Sequence, residues 1–190
     1  VELGKANDRV IFDKGATLRG YLKGGAGQDW LDYGGLTPGS LNNSAYSARV
    51  NVNITNDPVP FTGGYVLKAN SSSTVGDGHK GMLENFEKVT GGRGNDRLVG
   101  INLDGGAGDD FLKAMTTVAN SHVIVEGGKG NDFVLFNSSV KATLSDISGD
   151  DRVRITGVSV HNELTINDNE GNDTVDFSRF SNLDITTGLR

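Results

Sequence analysis

The chain contains no cysteine and only three prolines in 190 residues. Without cysteine it can form neither a disulfide framework nor a thiolate zinc site. No apolar stretch approaches the roughly 18 to 20 residues of a membrane-spanning helix, and no charged-then-apolar signal segment opens the chain. We therefore expect no membrane span. Because the chain opens at Val1 without methionine, we expect a piece of a larger parent chain whose export signal lies elsewhere.

Basic residues are also few: 18 Lys and Arg stand against 24 Asp and Glu, which gives a net charge of −6. No basic stripe is visible that could neutralise phosphates, so the sequence disfavours a nucleic-acid partner and favours cations as ligands. The three histidines, His79, His122 and His161, stand at unrelated positions, and no G-x-S-x-G elbow occurs. We predict no catalytic residue, no organic-cofactor site and no enzymatic activity.

Glycine is abundant, with 28 residues, while the prolines Pro38, Pro58 and Pro60 fall in one stretch. Elsewhere the chain is punctuated by Gly, Asn and Asp, the residues that tolerate the positive φ of tight turns. This pattern is typical of repetitive β structure with short strands.

The glycines follow a repeat that ends in aspartate. Two sets of hexamers can be aligned on that residue. Four read G-G-x-G-x-D and begin at Gly24, Gly91, Gly105 and Gly127. Three weaker copies, at 3–8, 146–151 and 168–173, keep the final Asp. Such a period is the mark of a solenoid whose units must stack to bury their apolar faces.

The residues around the hexamers support a strand-turn-strand unit, because the same two flanking positions are aliphatic in all seven copies. Two residues after the Asp stand Val10, Leu31, Leu98, Leu112, Val134, Val153 and Val175. Two residues before the hexamer stand Val1, Leu22, Val89, Leu103, Val125, Leu144 and Ile166. Larger core side chains are expected four residues after the Asp, at Phe12, Tyr33, Phe136, Ile155 and Phe177. Each strand thus turns one or two side chains inward.

Spacings between successive aspartates near 20 residues suit one coil per repeat, with the glycine turns stacked along one edge. The 14-residue interval from Asp96 to Asp110 predicts a coil whose opposite turn is very short. The 67-residue interval from Asp29 to Asp96 predicts an insertion over 34–88, with an alternating strand at 50–54 and a Ser-rich tract at 70–74. We predict one domain over 1–190, made of N-terminal coils 1–33, the insertion 34–88 and the main stacked coils 89–190.

At these hexamers the chain resembles the RTX family, the hemolysin-type calcium-binding repeats of secreted Gram-negative proteins, whose repeat is G-G-x-G-x-D-x-U-x. Residues 91–98, 105–112 and 127–134 fit position by position, and 31–36 and 86–90 resemble a spacer between such repeats. The resemblance implies an all-β, right-handed parallel β-roll or β-helix solenoid with one glycine-rich calcium turn per coil. It also implies type I secretion and an extracellular or cell-surface location. The family's tandem nine-residue repeats place glycine turns on both edges, whereas here the motif appears about once per coil.

In the resembled family a Ca²⁺ ion lies between two stacked turns and binds their carbonyls and final aspartates, since hard oxygens are its preferred ligands. The implied neighbours are Asp96 with Asp110, Asp110 with Asp132, Asp132 with Asp151, and Asp151 with Asp173. The predicted calcium-binding residues are Asp29, Gly91, Arg93, Gly94, Asp96, Gly105, Ala107, Gly108, Asp110, Gly127, Lys129, Gly130, Asp132, Gly149, Asp151 and Asp173. The alternative is that the aspartates only cap the backbone by Asx-type hydrogen bonds, above all at Asp8 and Asp173. Whether Asp8 and Asp29 form a further site stays open.

Three functions follow from this interpretation. The first is a calcium-dependent structural or adhesive module of a secreted or surface protein, an adhesin for example, with a cell-surface or polysaccharide ligand. The second is a polysaccharide-modifying β-helical enzyme or its accessory module, which would cluster Asp, Lys, Arg, His or Tyr at one phase of adjacent coils; the sequence shows no such cluster. The third is ligand recognition by the insertion. Trp30, the single tryptophan, is expected to face outward, either toward a partner or under the insertion.

Overall fold

The computed structural model describes residues 1–13, 16, 20–35, 45–47, 49–54, 67–68, 73–75, 79–84, 86–115, 122–137, 141–145, 148–157, 164–167 and 170–178. All regular structure in these residues is β. The strands in chain order are β1 (Glu2–Gly4), β2 (Arg9–Ile11), β3 (Gly20–Gly25), β4 (Trp30–Asp32), β5 (Asn51–Asn53), β6 (Leu67–Lys68), β7 (Ser73–Val75), β8 (His79–Glu84), β9 (Lys88–Thr90), β10 (Arg97–Gly100), β11 (Asn102–Ala107), β12 (Phe111–Ala114), β13 (His122–Lys129), β14 (Phe133–Asn137), β15 (Lys141–Ser145), β16 (Arg152–Gly157), β17 (Leu164–Asn167) and β18 (Thr174–Asp176). A helix capable of crossing a bilayer is not found within these ranges.

The strands form three sheets. Sheet I has the order β1-β3-β8-β7, sheet II the order β17-β15-β13-β11-β9-β4-β2, and sheet III the order β18-β16-β14-β12-β10-β5-β6. Every named pairing is parallel except β7 with β8, which is antiparallel. The chain is therefore a parallel β-solenoid of about five turns, as the repeat predicted.

The core lies between the sheets and is built from the aliphatic columns that flank the hexamers. In sheet II the column runs Leu31, Val89, Leu103, Val125, Leu144 and Ile166. In sheet III it runs Leu98, Leu112, Val134, Val153 and Val175. Most of these side chains are fully buried, whereas Val175, in the last described strand, is 38% exposed. Because no single unit can cover its own apolar side chain, stacking supplies the burial that holds each coil.

Aromatic side chains fill the N-terminal part of the core at the positions expected four residues after the aspartate. Phe12 and Tyr33 are buried and stack with ring centroids 4.7 Å apart, and Tyr46 packs edge-on against Tyr33 at 5.8 Å. Phe136 and Ile155 occupy the corresponding level farther along the solenoid and are buried as well. The predicted larger core residues are thus confirmed for the described part of the chain, apart from Phe177, which is only partly buried.

The glycine turns do not share one edge, and this part of the prediction is wrong. In the first two coils the turn joins sheet I to sheet II, from β1 to β2 and from β3 to β4. From residue 88 onward the turn joins sheet II to sheet III, because β9 precedes its hexamer yet pairs with β4, which follows one. We call the sheet I–sheet II corner the first edge and the sheet II–sheet III corner the second edge. The repeat therefore changes phase between residues 32 and 88.

Two predictions about spacing can be compared with the strands. Between β10 and β11 only Ile101 intervenes, so the 14-residue interval has the very short opposite turn that was expected. Within 34–88, β5 pairs with β10 and β8 pairs with β3, so strands of this segment extend the solenoid. The predicted strand at 50–54 is confirmed as β5. In the Ser-rich tract, Ser73 begins β7, and residues 70–72 lie outside the described part.

Candidate cation-binding edges

The second edge stacks the glycine turns about one strand spacing, about 4.8 Å, apart. At this distance the turns leave no room for side chains on their inner glycines. Gly106 and Gly128 have φ of 95° and 109°, and a Cβ added at Gly128 would overlap the carbonyl oxygen of Gly106. Both requirements select glycine, and together they bring backbone carbonyls of neighbouring coils to one place.

The final aspartates of the turns form a continuous column along this edge. Each backbone N–H donates to Oδ1 of the aspartate in the next coil: Asp96 to Asp110 at 2.7 Å, Asp110 to Asp132 at 2.8 Å, Asp132 to Asp151 at 2.7 Å, and Asp151 to Asp173 at 3.0 Å. All four predicted neighbour pairs are therefore adjacent. Asp96, Asp110, Asp132 and Asp151 are at most 4% exposed, whereas Asp173 is exposed.

The hydrogen bonds of this column occupy one carboxylate oxygen in each of Asp110, Asp132, Asp151 and Asp173. Both oxygens of Asp96 accept backbone hydrogen bonds, Oδ1 from Val50 and Oδ2 from Gly92. Asp110 shows the state of the second oxygen. Its Oδ2 is buried and accepts no hydrogen bond from the residues that the structure describes. A Cβ added at Gly105 would overlap both this Oδ2 and the carbonyl oxygen of Gly127. A carboxylate oxygen and a backbone carbonyl oxygen thus border one small space beside Gly105. These are the hard ligands that Ca²⁺ prefers, so the residues present fit such an ion.

The raised pKa values of two aspartates in this column also favour a bound cation. Burial, followed by the charges of Asp96 and Asp132, raises the pKa of Asp110 to about 9. Burial also raises the pKa of Asp96 to about 7, although hydrogen bonds from Val50 and Gly92 oppose the shift. A buried carboxylate with an uncompensated oxygen is costly, so either a proton or a cation has to neutralise it.

The other predicted ligands lie in the same turns. Gly91, Gly105 and Gly127 are buried, and Gly94, Gly108, Gly130 and Gly149 are partly exposed. The side chains of Arg93 and Lys129 are exposed, and Ala107 is half-buried, so any contribution at these positions comes from the backbone. The carbonyl of Lys129 already accepts the Gly108 N–H at 2.8 Å. Because a carbonyl oxygen has two lone pairs, this bond leaves it able to bind a cation.

A second column, which the sequence analysis missed, runs beside the aspartates. The fifth residue of each hexamer accepts from the next coil: Asn95 Oδ1 from Asp109 N–H, Asp109 from Asn131, Asn131 from Asp150, and Asp150 from Asn172, at 2.9 to 3.1 Å. The signal was present, since this position holds Asn, Asp or Gln in all seven copies. These exposed side chains share the backbone-capping role that the alternative interpretation gave to the final aspartates, whose Oδ1 atoms also accept backbone N–H groups.

Asp29 does not belong to the column of the second edge. It lies at the first edge, where Asp8 N–H donates to Asp29 Oδ1 at 2.9 Å. Asp29 and Asp96 end consecutive G-G-x-G-x-D hexamers, 67 residues apart, but they lie at different edges of the solenoid. They are therefore not stacked neighbours. The aspartates Asp8 and Asp29 are adjacent to each other.

The outer face of sheet II carries a charged cluster whose members stand at different positions of the repeat. Trp30 lies between Arg9 and Lys88, whose charged groups are 4.2 Å and 4.6 Å from its ring centroid. Its indole N–H donates to Thr90 Oγ1 at 3.0 Å, and the Thr90 hydroxyl donates to Asp104 Oδ2 at 3.2 Å. Trp30 is therefore half-buried in a network that spans four neighbouring strands of sheet II, β2, β4, β9 and β11. Trp30 follows a hexamer whereas Lys88 and Asp104 precede one, which is why the sequence analysis found no such cluster.

Two more acidic side chains border that network. Asp32 is 2% exposed and forms an ion pair with Arg9, and its Oδ1 accepts the Gly34 N–H at 2.7 Å. Glu126 is the strand neighbour of Asp104. Burial, followed by the negative charge of Glu126, raises the pKa of Asp104 to about 6.

Basic side chains gather on the outer face of sheet III, although the sequence showed no basic stripe. Arg97 lies over the Phe111 ring at 5.1 Å, and Arg152 and Arg154 lie 5.9 Å and 5.8 Å from the Phe133 ring. Both Arg152 and Arg154 also form ion pairs with Asp176, at 3.3 Å and 2.9 Å. Because Asp176 neutralises part of this positive charge, we interpret the basic cluster as packing between coils.

Comparisons with known proteins add no family assignment. No model of a known protein family matches the chain, and a search of curated proteins finds no similar sequence. Among the described residues, three or more His, Asp or Glu side chains do not converge on one point. A cation at either edge would therefore depend on backbone carbonyls for most of its ligands.

Proposed function

We propose that the chain is a calcium-binding repeat module of a secreted or cell-surface protein, similar to the RTX repeats, that folds on Ca²⁺ outside the cell and has a structural or adhesive role. Calcium would lie along the second edge, between consecutive turns. Its ligands would be the final aspartates and the carbonyls of the glycine turns, in the three pairs from Asp96 to Asp151. The turn that ends at Asp173, whose side chain is exposed, would supply the weakest site.

The observation that carries this proposal is the buried Oδ2 of Asp110, which has no hydrogen-bond partner among the described residues and lies beside the Gly127 carbonyl. Capping needs only Oδ1, and an asparagine would perform it equally well. A second buried anionic oxygen costs free energy in a metal-free protein, about 1 to 3 kcal/mol or more. Bound Ca²⁺ converts that cost into a favourable interaction, and binding then contributes to folding because the site exists only in stacked coils.

The test is a calcium titration of the metal-stripped chain, followed by far-ultraviolet circular dichroism, with Mg²⁺ as the control. We expect a cooperative rise in β signal with Ca²⁺ and none with Mg²⁺, which keeps its waters and demands octahedral geometry. A midpoint of about 0.1 to 1 mM, the range of extracellular calcium modules, is expected. A β spectrum that EDTA leaves unchanged would show that the solenoid needs no metal, and a midpoint below micromolar would place folding inside the cell.

A second candidate is a polysaccharide-modifying enzyme or its accessory module, favoured by the pairing of Asp104 with Glu126 on the outer face of sheet II. Two neighbouring carboxyls, one with its pKa raised to about 6, are a common arrangement for acid-base chemistry. Its test is product formation from uronate-rich and neutral polysaccharides, with Glu126→Gln as the inactive comparison. No product from either class would reject this candidate.

A further inference from the structure

A turn without the glycine motif lies at the second edge, directly before the turn of 91–96. The Arg97 N–H donates to the carbonyl of Val50 at 2.8 Å, and the Val50 N–H donates to Asp96 Oδ1 at 2.7 Å. Both bonds recur one coil further along, where Asp96 takes the place of Val50. Val50 therefore occupies the position of a final aspartate.

The preceding residues follow the same register. The Arg93 N–H donates to the Tyr46 carbonyl at 2.7 Å, and a Cβ added at Gly92 would overlap the carbonyl oxygen of Tyr46. In the next coil the Ala107 N–H donates to the Gly92 carbonyl at 3.0 Å in the same way. We call the described residues 45–47, 49 and 50 the end segment. It forms one more level of the second edge, although no glycine or aspartate stands among these residues.

The end segment lacks the space that the hexamers leave for a cation. A Cβ added at Gly91 would overlap Asp96 Oδ2 and the carbonyl oxygen of Gly105, and the same relationship recurs one coil later at Gly105. Ala45 stands at the corresponding position of the end segment and is only 1% exposed, so a methyl group lies where the hexamers have glycine. Val50, 2% exposed, supplies an apolar side chain in place of a carboxylate. This turn therefore offers Ca²⁺ neither room nor a ligand charge.

Protein donors satisfy the carboxylate that adjoins the end segment. Asp96 Oδ1 accepts the Val50 N–H, and Asp96 Oδ2 accepts the Gly92 N–H, each at 2.7 Å. The Arg49 Nε–H donates to the carbonyl of the residue that precedes Asp96, at 2.7 Å, and brings a positive charge to the same level. Asp110 differs, because its Oδ2 accepts no hydrogen bond in the described part of the chain. Backbone donors and a guanidinium thus supply at Asp96 part of the compensation that a proton or a cation has to supply at Asp110.

The end segment is anchored in the aromatic core of the N-terminal coils. The Tyr46 N–H donates to the Tyr33 carbonyl at 2.9 Å, and the Tyr46 ring packs edge-on against the Tyr33 ring. Tyr33 in turn stacks on Phe12. All three rings are buried, so apolar contact, which needs no metal, holds the end segment in place.

We propose that the end segment is a calcium-free cap of the second edge. It fixes the turn of 91–96 through backbone donors, Arg49 and the aromatic core, and it limits the cations to the side of Asp96 that faces Asp110. This inference rests on the proposed function and adds its regulation. When calcium is lost, the turns from residue 105 onward are released while the cap keeps its level. When calcium returns, these turns stack again from a preformed end.

Amide hydrogen exchange of the whole chain, measured by NMR with saturating Ca²⁺ and again in EDTA, tests the cap without any substitution. The amides of Arg97 and Arg152 form a matched pair, because each donates at 2.8 Å to the residue at the final-aspartate position of the preceding coil, Val50 or Asp132. We expect EDTA to lower the protection of the Arg152 amide at least about tenfold more than that of the Arg97 amide. Equal losses would overturn the cap while calcium-dependent folding remained. Protection that EDTA changes at neither amide would instead remove the proposed function itself, and the calcium-free role of the cap with it.

Counting the bound ions tests whether Ala45 and Val50 end the column. The double variant Ala45→Gly with Val50→Asp supplies the space and the carboxylate, and its control carries Ala45→Gly with Val50→Asn. In equilibrium dialysis we expect the first variant to bind one more Ca²⁺ per chain than the unsubstituted protein, and the control to bind the same number as that protein. An equal count for the two folded variants would overturn the assignment. If circular dichroism shows that the aspartate variant does not fold with Ca²⁺, the exchange of the Arg97 and Arg152 amides in the unsubstituted chain decides.

Discussion

The backbone N–H of Asp96 donates to Oδ1 of Asp110 at 2.7 Å, while Oδ2 of the same carboxylate is buried without a hydrogen-bond partner in the described part of the chain. One oxygen therefore serves the stacking of coils, and the other is available to a cation. An asparagine can replace the first role but not the second. A metal-free solenoid needs only the oxygen that accepts the backbone N–H, whereas a calcium-dependent solenoid uses both oxygens. Single substitutions distinguish the two cases.

Asp110→Asn keeps the acceptor for the Asp96 amide and removes the buried charge. We expect the calcium midpoint of folding to rise about tenfold because a ligand charge is lost. The matched control is Asp109→Asn, an exposed neighbour whose Oδ1 accepts the Asn131 N–H at 2.9 Å. Calcium titrations by circular dichroism compare them, and equal midpoints for both variants would contradict the assignment.

The metal-free chain should lose stability as the pH rises between about 4 and 9. Burial raises the pKa of Asp110 to about 9 and that of Asp96 to about 7, whereas in the unfolded chain both lie near about 3.9. In this window the folded chain binds protons that the unfolded chain does not. The stability contribution is therefore complete below pH of about 4 and is lost as the pH passes the raised values.

Calcium should reverse that trend, because it binds the deprotonated carboxylates and its affinity grows as protons leave. The β signal of the chain in EDTA at pH 5 and pH 8, followed by far-ultraviolet circular dichroism, measures the metal-free trend. Urea unfolding at the same two pH values with saturating Ca²⁺ measures the calcium-loaded trend. We expect the metal-free chain to be less stable at pH 8 and the calcium-loaded chain to show no such loss. A metal-free chain that is more stable at pH 8 would show that these carboxyls are already compensated in the fold.

The fold was predictable because its period is visible in local chemistry. Glycine at positions of positive φ and aliphatic residues two positions from each hexamer identified the strands and the core, including Leu31, Leu112 and Val134. The adjacency of Asp96 and Asp110 followed from the same alignment. Each of these inferences needs only residues within one or two coils.

The change of edge was not predictable from the repeat, because it depends on pairing across the long interval between Asp29 and Asp96. Only the register of Trp30 with Lys88 shows that a strand after one hexamer adjoins a strand before another. Glu87, whose carboxylate accepts the Asp29 N–H at 2.7 Å, was not predicted to join Asp8 and Asp29 at the first edge, because its turn lacks the glycine motif. On the outer face of sheet II, Arg9 and Trp30 follow a glycine hexamer, whereas Lys88 precedes one. An alignment on the hexamers compares residues at the same position of the repeat, so it does not bring these three residues together.

Tyr33→Phe should leave stability unchanged or raise it by about 1 kcal/mol. The Tyr33 ring is completely buried and stacks on Phe12, and its hydroxyl has no hydrogen-bond partner within the ranges that the structure describes. Burial raises the pKa of that hydroxyl far above its usual value, so it stays neutral. Phenylalanine keeps the stacking and removes an unsatisfied polar group. Urea denaturation of the two proteins measures the difference, and a loss above about 1 kcal/mol would mean that the hydroxyl is satisfied in solution.

Gly25→Ala should destabilise the chain more than Gly4→Ala. Both glycines have positive φ, 115° and 127°, which alone costs an alanine about 1 kcal/mol or more. Only at Gly25 would the new Cβ overlap a backbone atom, the carbonyl oxygen of Gly4, because no atom of the described residues lies within 4 Å of the corresponding point at Gly4. Thermal unfolding of both variants isolates the effect of stacking from that of φ. Equal losses would mean that the first two turns are not in contact.

Arg9→Ala should be far more costly than Arg152→Ala, although both remove an arginine from an ion pair. Asp32, the partner of Arg9, has a side chain only 3% exposed, so its charge would remain buried without its cation. Such a loss costs about 3 to 5 kcal/mol. Arg152 is 52% exposed and shares Asp176 with Arg154, so its removal should cost at most about 1 kcal/mol. Denaturant midpoints with saturating calcium compare the two variants. If Arg9→Ala costs no more than Arg152→Ala, the Arg9 ion pair does not help to join the N-terminal coils to the rest of the solenoid.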